Sequence, residues 1–314
     1  MSAAVDMNML GGALLRMAAG LTLCPLLFGV INRVKALFAG RRGQPLLQTY
    51  YDLAKLLRKG AVYSGATSWA FGLGPAAGLA CCLCALALAP LGGQPGLFSF
   101  EGDLFLFAGL YSLGRFLTAT AALDTGSSFE GMGASREMQF AVPAELALIL
   151  GFVALAQATG DYSLAGILGR LDLARWQACG PVLALTAAAL FLVLLAETCR
   201  IPVDDPNTHL ELTMVHEVMV LDHSGPDLAF IVYGQALKMW TLGAVLAGLV
   251  IPARGGEASS MLLGAVWGVA GIFGLAVVIG IVESSMARLR LLLVPRLLVG
   301  ATALSGLALI LLLR

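Results

Sequence analysis

The chain is poor in charge. Asp, Glu, Lys and Arg make up 12% of its 314 residues, about half the share of an average soluble domain, and the formal net charge is zero. This balance argues against a nucleic-acid partner. The six cysteines form no pair of Cys-x-x-Cys motifs, and most lie in or beside apolar runs, so they are interpreted as buried small side chains. The N-terminal region has Asp6 and no basic stretch, so a cleavable signal peptide is not expected.

What the chain has instead is long apolar runs, with 59% hydrophobic residues and a mean hydropathy of +0.89. Such runs cross a bilayer only as helices, because lipid offers no partner to the backbone. The sequence therefore predicts an all-α, polytopic integral membrane bundle that forms a single membrane domain over residues 1–314. Eight spans are predicted, the fifth short and extending to Glu197–Cys199: Leu10–Leu37, Phe71–Ala89, Leu104–Leu123, Met138–Ala158, Pro181–Ala196, Leu228–Pro252, Met261–Val282 and Leu291–Leu313.

The basic residues indicate how the spans are oriented. Twelve Lys and Arg fall in the first, third, fifth and seventh loops, and four fall on the other side. Because cytoplasmic loops carry the excess of positive charge, the odd-numbered loops are predicted to be cytoplasmic and both termini to lie outside, in the cytoplasmic membrane of the cell.

A cytoplasmic amphipathic segment is predicted within residues 40–60. In "PLLQTYYDLAKLLRKG" apolar side chains recur at helical spacing, and polar ones, Asp52 and Lys55 among them, take the opposite face. Two interpretations stay open: a helix lying at the lipid surface, or a helix that docks a soluble partner.

Four charged residues fall within predicted spans: Arg16, Arg115, Glu145 and Lys238. A charge at the centre of a span costs about 2.5–3.5 kcal/mol on insertion scales, so such residues usually face the bundle interior. One interpretation is a structural ion pair of Glu145 with Arg115 or Lys238. The other is proton or ion handling.

The connecting segment 197–227 collects seven of the 19 carboxylates and all three histidines. Thr208 and Glu211 form a capping box that predicts a helix to about Leu221, with an apolar stripe through Met214 and Val218. The seven-residue spacing of His209, His216 and His223 predicts that they share a face but separates their rings too far for a usual zinc pair. The remaining alternatives are a solvated acidic loop and a titratable funnel at the cytoplasmic membrane surface.

Four blocks of the sequence carry a family resemblance: "NRVKALFAGRRGQPLLQTYYDLAKLLRKG", "GMGASREMQFAVPAELAL", "ETCRIPVDDPNTHLELTMVHEVMVLDHSGPDLA" and "VESSMARLRLLLVPRLL". They resemble the membrane subunit that energy-converting hydrogenases share with respiratory complex I, where it is subunit 1. The resemblance implies eight spans, no redox cofactor of its own and a place where the soluble electron-transfer arm meets the ion-pumping arm.

The resemblance also implies roles for particular residues. Glu145, after the "GASRE" loop, resembles the intramembrane glutamate of the family's proton path, and Arg136 the basic residue of that loop. The acidic segment contributes the Glu-x-x-Arg opening and the acids of the cavity below the soluble arm. The implied ion-pathway set is Glu145, Glu197, Arg200, Asp204, Glu211, Glu217, His209, His216, Arg115 and Lys238; Arg136, Asp52 and Lys55 are the implied docking residues, and no catalytic or metal-binding residue is implied.

One departure favours a branch of the family. The quinone-reducing branch typically reads "ETNRAPFDLPEAESELVAG" in this loop, whereas here "VDDPNTHLELTMVHEVMVLDHSG" adds His209 and His216. This version resembles the hydrogenase branch, including formate hydrogenlyase-like complexes. The implied partners are [NiFe] hydrogenase large and small subunits, a ferredoxin-like iron–sulfur subunit and antiporter-like membrane subunits, besides the lipid bilayer.

The expected function is therefore a non-redox anchor and coupling subunit of a complex I-like membrane-bound [NiFe] hydrogenase, with protons or sodium as the moved ion. The alternative is the quinone-chamber subunit of a respiratory NADH:quinone oxidoreductase. A stand-alone secondary transporter would be expected to show inverted repeats, and none is found in the sequence.

Overall fold

The computed structural model of the chain describes residues 2–204, 214–251 and 258–313. These ranges contain helices and no β-strand, so the predicted fold class is confirmed. The helices are α1 Ser2–Phe38, α2 Gln48–Leu57, α3 Trp69–Leu88, α4 Asp103–Asp124, α5 Ser128–Thr159, α6 Leu164–Gly169, α7 Leu173–Glu197, α8 His216–Met219, α9 Gly225–Val250, α10 Ala258–Ser285 and α11 Val294–Leu312.

Eight of these helices are long and apolar enough to cross a membrane, which confirms the predicted number of spans. They are α1, α3, α4, α5, α7, α9, α10 and α11. The amphipathic helix predicted in the first connection is α2. Of the cysteines predicted to be buried, Cys84 is exposed on α3, because the apolar run it belongs to presents one face away from the bundle.

Two span boundaries differ from the prediction. The fourth span starts at Ser128 instead of Met138, so the "GASRE" residues are helical and do not form a loop. Ala, Arg, Glu, Met and Gln are strong helix formers, and a search for apolar runs passes over them. The fifth span starts at Leu173 instead of Pro181, with a kink at Cys179, where the proline interrupts the helical hydrogen bonds.

Helix α9 forms the centre of the bundle. It contacts α1, α3, α7 and α10, and its Trp240 is fully buried. Helices α3 and α4 pack as one pair, and α5 packs between α4, α7 and α11. Helices α10 and α11 leave most of their surface open, as expected of helices that face lipid or another subunit.

The connections separate cleanly between the two ends of the bundle. At one end the first connection meets the fifth, where Ser224 Oγ accepts a hydrogen bond of 3.0 Å from Val62 N, and the seventh meets the fifth through the Arg288–Asp204 ion pair. At the other end the second and fourth connections meet, where Gly102 N donates to Tyr162 O at 3.0 Å. The odd connections therefore share one membrane surface and the even connections share the other.

The orientation of these two surfaces can be tested with single cysteines. We expect Gln44→Cys, in the first connection, to be shielded from a membrane-impermeant maleimide in intact cells. Glu101→Cys, exposed in the second connection, should be labelled, because the positive-inside rule puts the odd surface in the cytoplasm. The unsubstituted protein, with its six native cysteines, gives the background. Labelling of Gln44→Cys alone would reverse the orientation.

Candidate functional site

A single arginine inside the bundle gathers three carboxylates. Arg115 lies on α4 and is 5% exposed. Its Nη1 is 2.6 Å from Glu145 Oε1 on α5, and its Nη2 pairs with Glu197 Oε1 at the end of α7. Its Nε is 3.4 Å from Glu137 Oε1, also on α5. The predicted Arg115–Glu145 pair is thus present, but it is one part of a larger cluster.

Lys238 on α9 adds the second positive charge. Its Nζ is 3.3 Å from Glu197 Oε2 and lies over the ring of Tyr111. Lys238 stands 13 residues from the start of α9, about 20 Å along the helix. The cluster therefore lies deep within the span region. Lys238 pairs with Glu197 and not with Glu145, although the sequence left both Arg115 and Lys238 open as partners of Glu145.

We call Arg115, Glu137, Glu145, Glu197 and Lys238 the ion-pair cluster. Three carboxylates face two cations, so its formal charge is −1 when all five groups are ionised. Ions in a low-dielectric interior are stable only with close partners, because desolvating each one costs several kcal/mol. Glu145 differs from the rest, since 35% of its side chain is exposed on the outside of the bundle.

Two small cavities flank the cluster. The larger, about 50 Å³, reaches His216, Gln235 and Lys238. The smaller, about 20 Å³, reaches Cys199 and Asp204. Since a water molecule needs about 10–15 Å³ of such space, both can hold water beside polar partners. Three side chains line both cavities: Arg115, Glu137 and Glu197.

The segment after Glu197 turns into the bundle instead of covering its surface. Arg200 is 5% exposed and pairs with Glu283 of α10 at 3.4 Å, and Glu283 also pairs with Lys35 of α1 at 2.7 Å. Asp204 is 2% exposed and pairs with Arg288 at 3.0 Å. The prediction that these acids form a funnel at the membrane surface is wrong for Asp204, because tertiary ion pairs hold it inside.

The predicted helix from Thr208 to Leu221 is also wrong in its described part. Met214 and Val215 are not helical, and α8 is a single turn, because Asp204 Oδ2 accepts the backbone N–H groups of Val215 and His216 at 3.1 and 3.2 Å. The stripe residues Met214 and Val218 are buried as expected, whereas Leu221 is exposed. Thr208, His209, Leu210 and Glu211 lie outside the described residues.

The two described histidines do not share a face. His216 Nε2 is 2.8 Å from the Gln235 amide, at the larger cavity. His223 stacks on Phe71 at 4.0 Å between ring centroids. Burial, followed by the charge of Lys238, lowers the pKa of His216 from its ordinary value of 6.5 to about 4. Burial also lowers the pKa of His223, so both rings are neutral at pH 7.

The remaining predicted residues lie near the odd-numbered surface. Arg136 is on α5 and donates to the Met214 carbonyl at 2.8 Å, so it holds the inward segment. Glu217 is half-buried on α8. Asp52 and Lys55 are exposed on α2, where Gln48 donates to Asp52 at 2.9 Å. Arg16, which the sequence put within a span, donates to Pro95 O at 2.9 Å and takes no part in the cluster.

Sequence reasoning missed two charged residues of the interior, Glu137 and Glu283. Each lies one residue beyond a predicted span, next to Met138 and Val282 respectively. One signal for Glu137 was available: it precedes Glu145 by eight residues, about two helical turns, so the two share a face once α5 is extended back to Ser128.

Eight crossing helices that enclose a buried ion-pair cluster define a polytopic membrane protein whose charges serve its interior. The chain belongs to the NADH dehydrogenase family, which matches residues 12–313, and within it to the type found in the membrane arm of complex I. Its arrangement of helices is similar to that of a chain in the membrane-bound sulfane sulfur reductase, an archaeal respiratory membrane complex. That likeness has a TM-score of 0.81 and covers 97% of this chain and 99% of the other; at 19% identity it concerns the fold alone.

Curated relatives include two proteins of Escherichia coli (strain K12). Formate hydrogenlyase subunit 4 is 32% identical over 279 residues, which cover 87% of this chain and 89% of the relative. Hydrogenase-4 component C is 31% identical over 277 residues, covering 87% and 86%. A membrane component of the NADH-quinone oxidoreductase of Rubrobacter xylanophilus is 28% identical over 220 residues, covering 68% and 63%. The chain is thus a complex I-like membrane subunit.

Removing the guanidinium charge should destabilise the protein. We expect Arg115→Met to cost about 3–5 kcal/mol, because it leaves buried carboxylates without their partner, and to lower the unfolding midpoint in detergent by roughly 10 °C. Arg170→Met is the matched control: its pair with Asp161 is half-exposed and should be worth at most about 1 kcal/mol. Equal shifts in the two variants would mean that the cluster does not stabilise the bundle.

His216 should make the fold sensitive to acid. Its pKa of about 4 lies below the ordinary 6.5, so the unfolded chain binds more protons between these values and stability falls as pH drops from 6.5 towards 4. At pH 5 the loss is on the order of 2 kcal/mol relative to pH 7. We expect His216→Gln to show a smaller difference in unfolding midpoint between pH 7 and pH 5. Identical pH dependence in the two proteins would contradict a buried neutral imidazole.

Proposed function

We propose that the chain is the non-redox anchor and coupling subunit of a complex I-like, membrane-bound [NiFe] hydrogenase. In this role it transmits the energy of electron transfer in a soluble arm to the movement of protons or sodium ions across the membrane. The observation that carries the proposal is the similarity to formate hydrogenlyase subunit 4 over nearly the full length of both chains. The similarity to a quinone-reducing relative is lower and covers less of each chain.

The ion-pair cluster supports a coupling role more than a purely structural one. A structural pair needs one cation and one carboxylate, whereas here three carboxylates share two cations next to cavities that can hold water. Such a cluster can change its proton occupancy without leaving a charge unpartnered. We therefore propose that Arg115, Glu145, Glu197 and Lys238 belong to the ion pathway.

The inward segment is the proposed link to the soluble arm. Arg200, Asp204, His216 and Glu217 connect the odd-numbered surface to the cluster through contacts with α5, α9, α10 and the seventh connection. A displacement at this surface would move the backbone that follows Glu197 and so alter the geometry of the cluster. His209 and Glu211, in the same segment, are proposed to take part.

The exposed side of Glu145 favours a second membrane subunit as neighbour. An ionised carboxylate that faces lipid near the middle of a span is costly. The flanking side chains Val142, Leu146 and Ile149 are exposed and apolar, as at a helix-packing surface. We propose that an antiporter-like subunit covers this side of α5 and receives the coupled charge from Glu145.

The proposed arrangement has the odd-numbered surface in the cytoplasm, both termini outside and the complex in the cytoplasmic membrane. The hydrogenase large and small subunits and a ferredoxin-like iron–sulfur subunit would dock at the odd surface. Asp52 and Lys55 are exposed there and are proposed to contact them. Arg136 is proposed to act in docking through Met214, whose carbonyl it holds.

The proposal is tested by isolating the complex through a tag on this chain and identifying its subunits. A [NiFe] large subunit should co-purify, and hydrogen evolution should be insensitive to quinone-site inhibitors. Recovery of a quinone-reducing arm, or strong inhibition, would favour the respiratory alternative.

Within the same complex, Glu145→Gln should leave the subunits assembled but lower ion movement per hydrogen by about 10²-fold, because an amide cannot carry a proton. The readout is ion uptake by proteoliposomes during turnover. Glu101→Gln is the matched control, since Glu101 is an exposed carboxylate on the opposite surface. Ion uptake by Glu145→Gln equal to that of Glu101→Gln would reduce Glu145 to a structural role.

A further inference from the structure

Only three side chains stand between the two cavities of the described chain: Arg115, Glu137 and Glu197. The smaller cavity opens towards Asp204 and the inward segment, and the larger opens towards His216, Gln235 and Lys238. A proton that passes from one body of water to the other must cross this wall. The chemistry of the three residues decides which of them can carry it.

Two of the three are poorly suited. The guanidinium of Arg115 cannot be deprotonated in a protein. Glu197 is held by a cation on each oxygen, Arg115 on Oε1 and Lys238 on Oε2, so a proton there would displace two ion pairs. Glu137 has one partner within the described residues, Arg115 Nε at 3.4 Å, and its side chain is 16% exposed.

Charge balance leads to the same residue. The cluster carries −1 with all groups ionised, and one proton on a carboxylate makes it neutral. A proton on Glu137 leaves the short Arg115–Glu145 contact and both contacts of Glu197 in place. A proton on either of the other carboxylates breaks a closer ion pair.

We propose that Glu137 is the residue that carries protons between the two cavities, as a part of the coupling path in the function proposed above. A hydronium in the smaller cavity protonates a carboxylate oxygen of Glu137 and becomes water. Rotation of the side chain presents the carboxyl group to the larger cavity, where a water molecule takes the proton and the carboxylate is restored. The O–H bonds formed and broken balance, and no electron moves.

The surroundings of Glu137 contain no competing carrier among the described groups that line the wall. Burial raises the pKa of the Cys199 thiol well above its ordinary value, so this group stays protonated. His216 is neutral at pH 7, as given above. The titratable and charged groups around Glu137 come from four helices and the inward segment: Arg115, Glu145, Glu197, Lys238, Cys199, Asp204 and His216.

The first test uses the intact complex. Glu137→Gln should lower ion movement per hydrogen by about 10²-fold, and Glu137→Asp should restore most of it, because the shorter acid still carries a proton. The control is Glu130→Gln, a buried carboxylate on the same helix that accepts Asp222 N at 3.1 Å and lies outside both cavities. Full ion movement in Glu137→Gln would overturn the proposal.

The second test does not depend on ion transport. Infrared difference spectra of the complex between acidic and alkaline pH should contain a carboxylic-acid C=O band that is absent in Glu137→Gln and retained in Glu130→Gln. In Glu137→Asp the band should move. If Glu137→Gln fails to assemble, the aspartate variant decides, and an unmoved band in it contradicts the proposal.

The two tests separate this inference from the function it rests on. A wild-type complex that moves no ions but shows the Glu137 band refutes the proposed coupling function and keeps Glu137 as the proton site. Loss of ion movement in Glu145→Gln, with full activity and an unchanged band in Glu137→Gln, supports the function and refutes the inference.

Discussion

The guanidinium of Arg115 is the constraint on which the arrangement of the interior depends. It lies near the middle of α4, and its three nitrogen atoms face carboxylates from α5 and from the end of α7. To reach it, α7 must end inside the bundle, because Glu197 is the last residue of that helix. The chain that follows therefore starts from a buried position, and its irregular path through the interior is a consequence of where this ion pair forms.

That path explains why so much titratable chemistry is concentrated in one connecting segment. Irregular backbone at membrane depth is stable only where protein or enclosed water satisfies it. Asp204 accepts two backbone N–H groups, Arg136 holds the Met214 carbonyl, and Arg200 is anchored by Glu283. Charged side chains thus replace the missing helical hydrogen bonds. The same groups can sense a partner at the surface, so the structural and coupling roles use one set of residues.

The eight spans were predictable because each satisfies its backbone locally, and apolar length is the only requirement. The Arg115–Glu145 pair was accessible for the same reason, since both residues interrupt apolar runs. Glu137 and Glu283 were missed because a search for apolar runs ends a span at the first charge, and each lies one residue outside such a boundary. The path after Glu197 was not predictable: the capping-box pattern favours a longer helix, and the contacts of Asp204 that limit α8 to one turn come from distant parts of the chain.

The charge of the cluster also explains why this chain is incomplete alone. Four of its five members are enclosed, but Glu145 opens outward from α5. In lipid this exposed carboxylate would bear a desolvation cost without a partner, whereas a second subunit could offer it a hydrogen bond or a cation. A proton gained on the inner side neutralises the cluster and weakens the hold of Arg115 on its carboxylates as a group. The effect reaches Glu145 directly, because it shares the same guanidinium. A single arginine thereby connects the surface that meets the soluble arm to the surface that meets the membrane arm, over the width of two helices and without a redox centre between them.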